Sequence, residues 1–304
     1  MDGGDDRVRF CRFDSDQLGL VEGDVVYDVS SALECLPSHR WPFPLGDALV
    51  RRLDSVRKAA SEVKAKAKTY RLDQIRLLSP VANPSKVMAA PANYRLHVEI
   101  DAADPAVHHN LHNKQLEGVE RPVEKLGLFL KANSAVSGPH DGVRLNWLDR
   151  RNDFEAELCI IIGKTCRKVS AEHAFDYVAG YCVGLDMSVR GVEDRSFRKS
   201  ADTYCVLGPW LTTADEVRDS GNLELWLKLN GEYKQRSSTA AMTVGIPRLI
   251  ELASHAYTLY PGDVIMTGTP EGVGSVKPGD VISAGCDGLG AMTVPVHGDG
   301  AGHR

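Results

Sequence analysis

The run Asp153-Phe154-Glu155-Ala156-Glu157-Leu158-Cys159-Ile160-Ile161-Ile162-Gly163 opens acidic and turns wholly apolar. A strand reads this way when one end reaches a site and the other enters a core. Side chains alternate faces along a strand, so Glu155 and Glu157 project on the same side. Two carboxylates held that close repel unless a proton or a cation separates them. A hard divalent cation with oxygen ligands, Mg²⁺, Mn²⁺ or Ca²⁺, resolves the repulsion. A solvated acidic strand end is the other reading of the same residues. A second run, Gly180-Tyr181-Cys182-Val183-Gly184-Leu185-Asp186, also ends in a carboxylate. If the two strands are neighbours, Asp186 completes a Glu-Glu-Asp face that leaves coordination positions for water and substrate. By itself Asp186 would be a cap or turn residue.

Composition narrows the partners. Hydrophobic residues make up 43% of the 304 and charged residues 25%, with a net charge of −5. That balance gives no whole-molecule attraction for nucleic acid or anionic membrane. The most basic stretch, 51–71, interleaves Lys58, Lys64, Lys66 and Lys68 with alanines and Glu62, as a solvated helix does. No apolar run approaches the roughly 20 residues a membrane span needs. The opening Met1-Asp2-Gly3-Gly4-Asp5-Asp6 is acidic where a secretory signal is basic and then apolar. The 7 cysteines are scattered without a Cys-x-x-Cys pair. Cytoplasmic residence is the expectation, and Cys159, Cys182 and Cys205 read as small buried hydrophobes.

Punctuation along the chain suggests a small N-terminal α+β domain, residues 1–80, followed by a larger β-rich domain, residues 81–297. The first part carries strand patterns at 8–13, 17–21 and 24–29 and a helical pattern at 46–68. Asn83-Pro84-Ser85-Lys86 is a turn signal near the boundary. The second part carries strand patterns at 87–90, 128–131, 157–163, 177–185, 224–229, 263–267 and 280–284. Helical patterns are confined there to 170–177 and 246–260. With Pro-Gly-Asp turns at Pro261 and Pro278, the fold class expected is β-rich α+β, with a mixed roll or barrel-like sheet in the catalytic domain. No Gly-x-Gly-x-x-Gly follows a strand, so there is no dinucleotide fingerprint. The polar segment 101–125, with His108, His109 and His112, is expected to be a lid over a nearby site. Zinc binding by the histidines is the alternative there. Residues 298–304 are expected to be a disordered tail.

Several residues around these strands carry chemistry. In Asn93-Tyr94-Arg95-Leu96-His97-Val98-Glu99, His97 with Glu99 or Asp101 makes a general-base dyad, the carboxylate orienting the imidazole. A surface histidine beside an acidic loop is the plainer reading. Lys131 ends a strand-like run and Lys199 lies in Arg198-Lys199-Ser200-Ala201-Asp202-Thr203. Lysines beside a metal site bind anionic substrates or stabilise an enolate. The glycine-rich 266–274 lacks the Gly-Lys-Ser/Thr ending of a phosphate loop. Its glycines, Gly268 first, would let backbone amides and the Thr269 hydroxyl approach a ligand carboxylate.

Taken in order, these segments resemble the fumarylacetoacetate hydrolase superfamily across residues 87–296. The resemblance rests on Asn93-Tyr94 with His97, Phe129-x-Lys131, Asp153-x-Glu155-x-Glu157-Leu158, and Gly180-Tyr181 leading to Asp186-x-Ser188-x-Arg190. It continues through Lys199-x-x-Asp202, Leu207-Gly208-Pro209-Trp210, Asn230-Gly231-Glu232 and Pro261-Gly262-Asp263 to Gly268-Thr269-Pro270-x-Gly272-Val273-Gly274. It implies a homodimer with a mixed β-roll, binding Mg²⁺, Mn²⁺ or Ca²⁺ through Glu155, Glu157 and Asp186. It implies Lys131, Lys199, Arg190 and Thr269 as substrate contacts, with Tyr94, Gly268 and Glu193 at substrate-binding positions; Glu193 stands where glutamine is common. His97 with Glu99 or another nearby carboxylate is the implied water-activating pair. The implied chemistry is hydrolysis of a carbon–carbon bond in a 1,3-dioxo, acylpyruvate-like acid. Decarboxylation, hydration or isomerisation of a 2-oxo acid is the alternative on this scaffold. A non-catalytic metal-binding homologue is a third.

Overall fold

The computed structural model describes residues 8–94 and 122–298. His97, Glu99, Asp101, His108, His109, His112 and most of the expected lid lie outside the described residues, as does the expected tail beyond Gly298. Gly298 itself ends the strand Gly290–Gly298.

The acid-to-apolar run folds as two strands, Asn152–Phe154 and Ala156–Ile162, interrupted at Glu155. Every residue of Ala156–Ile162 is buried. Leu158, Ile160 and Ile162 join one core cluster, and Cys159 and Ile161 join another. A strand buried on both faces belongs in the interior of a sheet with both sides covered. It lies within a 12-stranded sheet, flanked by Val178–Asp186 on one side and Val264–Met266 on the other. Beyond Val264–Met266 the sheet continues through Val87–Ala89, in parallel, to the antiparallel strand Phe129–Lys131 at its end. Beyond Val178–Asp186 it continues through Cys205–Thr213 to the leading strands Arg9–Phe13, Gln17–Glu22, Val25–Asp28 and Thr69–Arg71. A 5-stranded sheet that includes Glu224–Leu229, Val281–Cys286 and Gly290–Gly298 adds Leu225, Leu227, Ile282, Ala284 and Val294 to the core cluster of Leu158 and Ile160. The helix Ile246–Ala256 contributes Leu249, Ile250 and Ala253 to it. The result is the β-rich α+β class expected from the sequence. Among the described residues, no helix is long and apolar enough to cross a membrane.

Cys205–Thr213 was not legible as a strand, because Gly208-Pro209 reads as a turn. Pro209 lacks an amide hydrogen and belongs at bulges or edges. The pairing accommodates it: Tyr181 opposes Thr212 and Val183 opposes Gly208, so three residues, Pro209 to Leu211, face Cys182 alone. This bulge keeps a proline in a central strand.

The helical pattern at 46–68 resolves into Ala48–Arg51 and Leu53–Val63, followed by a 3₁₀ turn at Lys64–Lys66. The 170–177 pattern is a 3₁₀ segment, Ala171–Tyr177. Val56 and Ala60 pack on Phe10, Leu18, Leu20 and Val29, giving the leading residues a small core of their own. Asp47 ties this part to the chain that follows. Its Oδ1 accepts from the amides of Leu49 (3.0 Å) and Val50 (3.1 Å), capping the helix. Its Oδ2 accepts from the amides of Ala82 (2.9 Å) and Asn83 (3.1 Å). Loss of a cap costs about 0.5–2 kcal/mol, and stranding further amides adds about 1–3. Asp47→Ala is therefore expected to lower unfolding free energy by roughly 3 kcal/mol, read as an earlier urea midpoint at unchanged slope. A midpoint equal to wild type would show that water replaces the carboxylate on all four amides.

Candidate metal centre

In the antiparallel pair of Ala156–Ile162 and Val178–Asp186, Ala156 opposes Leu185 and Glu157 opposes Gly184. The Asp186 amide donates to the Glu155 carbonyl at 2.8 Å, extending the ladder across the interruption. Opposed residues share a face, so Glu155, Glu157 and Asp186 converge at one end of the face whose other members include Cys159, Ile161 and Cys182. One carboxylate oxygen from each lies within 4.8 Å of the others, and all three side chains are buried. The neighbour relation required by the sequence is met.

Two lysines enter this cluster, Lys131 from the end of Phe129–Lys131 and Lys199 from the end of the short helix Arg195–Arg198. Lys131 donates through Nζ to Asp186 Oδ1 and to the Lys199 carbonyl. Lys199 Nζ donates to Glu155 Oε2 at 2.7 Å and Asp186 Oδ2 at 2.8 Å. Burial disfavours the Lys199 ammonium, but Asp186 and Glu155 outweigh it and hold its pKa above the usual value. Glu155 Oε1 accepts from Ser188 Oγ at 3.1 Å and from the Arg190 guanidinium at 3.4 Å. Arg190 Nε is anchored on Asp153 Oδ2 at 2.7 Å, while Arg151 Nε holds Asp153 Oδ1 at 2.8 Å. Asp153 is fully buried; it positions Arg190 against the site rather than entering it.

Glu157 differs from the other two. Among the described residues it has no ion pair, and its Oε2 accepts from the Gly268 amide at 2.5 Å. Burial first, then the charges of Asp186 and Glu155, push its pKa well above the ordinary carboxylate range. Lys131, Lys199 and Arg190 all go to Asp186 and Glu155, which leaves Glu157 without a counterion of its own among the described residues. An all-oxygen anionic donor set with one member unpaired suits a hard divalent cation. Glu155, Glu157 and Asp186 form a divalent-cation site.

Gly268 can reach Glu157 because of its backbone, at φ +94°. A Cβ there would lie 2.7 Å from Asn93 Cβ. Asn93 is itself locked, donating to the carbonyls of Val244 (2.9 Å) and Thr267 (2.8 Å) and accepting from the Val244 amide (2.8 Å). Gly268→Ala is expected to turn the amide away from Glu157 and weaken Mn²⁺ binding by about 10–100-fold, the scale of losing a partner that orients a ligand. Calorimetric titration of Mn²⁺ into the variant measures this; wild-type affinity would mean the amide is dispensable.

Tyr94, Glu193 and Thr269, the other residues expected at substrate positions, have distinct surroundings. The Tyr94 hydroxyl is buried and has no hydrogen-bond partner among the described residues. Burial and then the Glu157 charge push its pKa up. Thr269 Oγ1 donates to the Ala156 carbonyl at 2.9 Å and accepts from Gln235 Nε2 at 2.8 Å, so its hydroxyl braces the Glu155–Glu157 strand. Glu193 is clamped by Arg150, with Oε1 at 3.0 Å and Oε2 at 2.8 Å. Arg150 thereby offsets the charge that glutamate adds at a glutamine position, and holds the Glu193 carboxyl below its usual range.

Residues 86–297 match the sequence profile of the family described as fumarylacetoacetate (FAA) hydrolase, C-terminal. The chain belongs to the fumarylacetoacetate hydrolase family. Within the family it is 48% identical over 289 residues to a maleylpyruvate hydrolase of Aquipseudomonas alcaligenes, covering 95% of this chain and 99% of that one. The crystal structure of a maleylpyruvate hydrolase from Sphingobium sp. SYK-6, in complex with manganese(II) and pyruvate, is similar with a TM-score of 0.78 at 39% identity, covering 95% and 99%. An oxaloacetate tautomerase (fahd2, mitochondrial) of Xenopus laevis is 32% identical over 293 residues, covering 92% of this chain and 85% of that protein.

Sequence reasoning missed one strut of this fumarylacetoacetate hydrolase site. Gln235 is buried in a strand whose neighbours are exposed. Its Oε1 accepts from the Ala156 amide at 2.9 Å and its Nε2 donates to Thr269 Oγ1 and the Pro270 carbonyl. It fills the gap left in the ladder at Glu155, and nothing in Glu232-Tyr233-Lys234-Gln235-Arg236 singles it out.

Proposed function

We propose that the protein is a divalent-cation-dependent hydrolase that cleaves the C3–C4 bond of an acylpyruvate. The observation that carries this is the buried Glu155–Glu157–Asp186 triad with the ammoniums of Lys131 and Lys199 built into it. When bound, the cation supplies Lewis acidity toward the oxygens of a 2-oxo acid and the enolate formed from it. Lys131 and Lys199 hold the carboxylates in place, and Lys199 adds positive charge where enolate charge develops. The surrounding burial removes competing water and strengthens these interactions. In the reaction the oxygen of water bonds to C4, the C3–C4 bond breaks, and its electron pair passes to C3 as the enolate of pyruvate. Protonation at C3 gives pyruvate, and the acyl part leaves as a carboxylic acid. His97, with Glu99 or Asp101, is assigned the water proton on its position in the sequence. Identity to the Aquipseudomonas maleylpyruvate hydrolase over nearly the whole chain supports the substrate class. The Sphingobium complex supports Mn²⁺, with Mg²⁺ as the alternative. Homodimeric assembly and cytoplasmic residence belong to the same proposal.

The test is turnover of acetylpyruvate, maleylpyruvate and oxaloacetate with Mn²⁺, with Mg²⁺ and with EDTA. The expected outcome is cation-dependent loss of a dioxo acid with equimolar release of pyruvate. The Xenopus relative motivates a second arm: keto–enol interconversion of oxaloacetate with no pyruvate from either dioxo acid would replace hydrolysis by tautomerisation.

A further inference from the structure

Arginines crowd the segments around the triad, outside its own carboxylate–lysine pairs. Five arginines, Arg150, Arg151, Arg190, Arg195 and Arg198, lie on the segments that frame the triad. Arg150 is spent on Glu193, Arg151 and Arg190 on Asp153, and Arg198 Nε on the Glu193 carbonyl at 2.9 Å. Arg195 alone among these has no hydrogen-bond acceptor among the described residues. A half-buried guanidinium without an acceptor is costly unless a ligand supplies one.

Its position says which ligand. Arg195 opens the short helix Arg195–Arg198, and the Lys199 amide donates to the Arg195 carbonyl at 3.1 Å. Residues four apart on a helical turn share a face, so Arg195 stands one turn from Lys199, whose Nζ sits on Glu155 and Asp186. Both cations lie over the Phe129 ring, Arg195 Cζ 5.3 Å and Lys199 Nζ 5.5 Å from its centroid. Burial lowers the Arg195 pKa while Glu155 and Asp186 act to raise it, which places it within the field of the triad. An arginine stays cationic at neutral pH regardless. The guanidinium is thus displaced from the triad along an aromatic wall. A 2-oxo acid held at the triad with a carboxylate five bonds further along its acyl arm spans about 6 Å, so such an arm extends its second carboxylate away from the triad.

We propose that Arg195 binds a carboxylate on the acyl arm of the substrate and makes the enzyme select dicarboxylic acylpyruvates over those with a neutral arm. This rests on the acylpyruvate reading above. Arg195 is a specificity residue: the bond-breaking end is served by the triad and its lysines, and the arginine acts on the far end. Phe129 supplies the apolar surface between them, and the planar guanidinium offers two parallel donors to a carboxylate.

The experiment compares wild type, Arg195→Gln and Arg195→Lys, with Mn²⁺, on maleylpyruvate and on acetylpyruvate, whose acyl arm is a methyl group. Wild type is expected to prefer maleylpyruvate in kcat/KM. Losing a charged hydrogen-bond partner is worth about 10- to 100-fold, so Arg195→Gln is expected to lower the maleylpyruvate-to-acetylpyruvate ratio by that factor, chiefly through KM for maleylpyruvate. Arg195→Lys should recover part of the ratio by charge alone. Inhibition of acetylpyruvate turnover by maleate should weaken in parallel in Arg195→Gln. An equal fall for both substrates, or an unchanged ratio and unchanged maleate inhibition, overturns the assignment while leaving the hydrolase in place. Wild type inactive on both dioxo acids overturns the acylpyruvate reading itself, and the assignment with it.

Discussion

Glu157→Gln is expected to abolish cation-dependent turnover and, in the same protein, to stabilise the metal-free fold. The side chain is 1% exposed and lacks an ion pair among the described residues. Its carboxyl keeps its proton to a higher pH in the folded chain than in the unfolded one, because burial and then Asp186 and Glu155 disfavour the charged form. The contribution of this group to metal-free stability is therefore whole below the ordinary glutamate range. It is lost as pH climbs from there toward the raised folded value. Glutamine cannot ionise, so that loss disappears while the amide can still accept from Gly268. The activity effect should exceed the roughly 10–100-fold that follows loss of an outer partner of a metal site. Urea midpoints in EDTA across about pH 4 to 8 should separate the two proteins increasingly toward the alkaline end. A variant that unfolds before wild type at neutral pH would refute the assignment of Glu157 as the uncompensated charge. Such opposition of stability and function is common where ligand groups are held ready for an ion.

Asp186→Ala should do the opposite to the fold while also ending turnover. Asp186 accepts from Lys131 and from Lys199, whose side chains are almost wholly buried. Removing the carboxylate leaves two ammoniums in the interior with their shared counterion gone. Breaking a buried pair in this way costs about 3–5 kcal/mol. Asp186→Asn, which keeps the shape and one acceptor, should lose less stability and the same activity. Denaturation of the three proteins in EDTA measures the order expected, wild type above Asn above Ala. Equal stability across them would mean the lysines find other acceptors, and that the triad owes its geometry to the sheet alone.

The two glutamates were legible because a strand has a period of two and their spacing matches it, whichever sheet the strand joins. Asp186 needed one further condition, adjacency of two strands, and the register satisfies it. The lysines could be named as cations near the site, but not as internal counterions, since their partners are 55 and 13 residues away for Lys131 and Lys199. Contacts at such separation leave no local pattern. Thr269 and Gly268 were named for their loop, but not for the contacts they make within the protein: the Thr269 hydroxyl braces a strand and the Gly268 amide holds Glu157. Cys205–Thr213 was hidden by its proline, and only the bulge explains why a strand survives it. Gln235 had no signal because a polar residue in an exposed hairpin looks like its neighbours.

The pairing of Arg9 with Thr212 and Phe10 with Leu211 has a bearing on how the chain is made. At about 5–20 residues per second, synthesis would separate these partners by tens of seconds. Arg12 and Phe13 meet Leu78 and Leu77 much sooner, so that half of the hairpin edge is covered early. Arg9 and Phe10 wait with open backbone groups until most of the polypeptide has emerged. A ribosome stalled before Cys205 would hold a hairpin offering half an edge to any passing strand. The nascent chain is most exposed to mispairing during that interval, and a holding chaperone would do its work at the first strand rather than at the catalytic end.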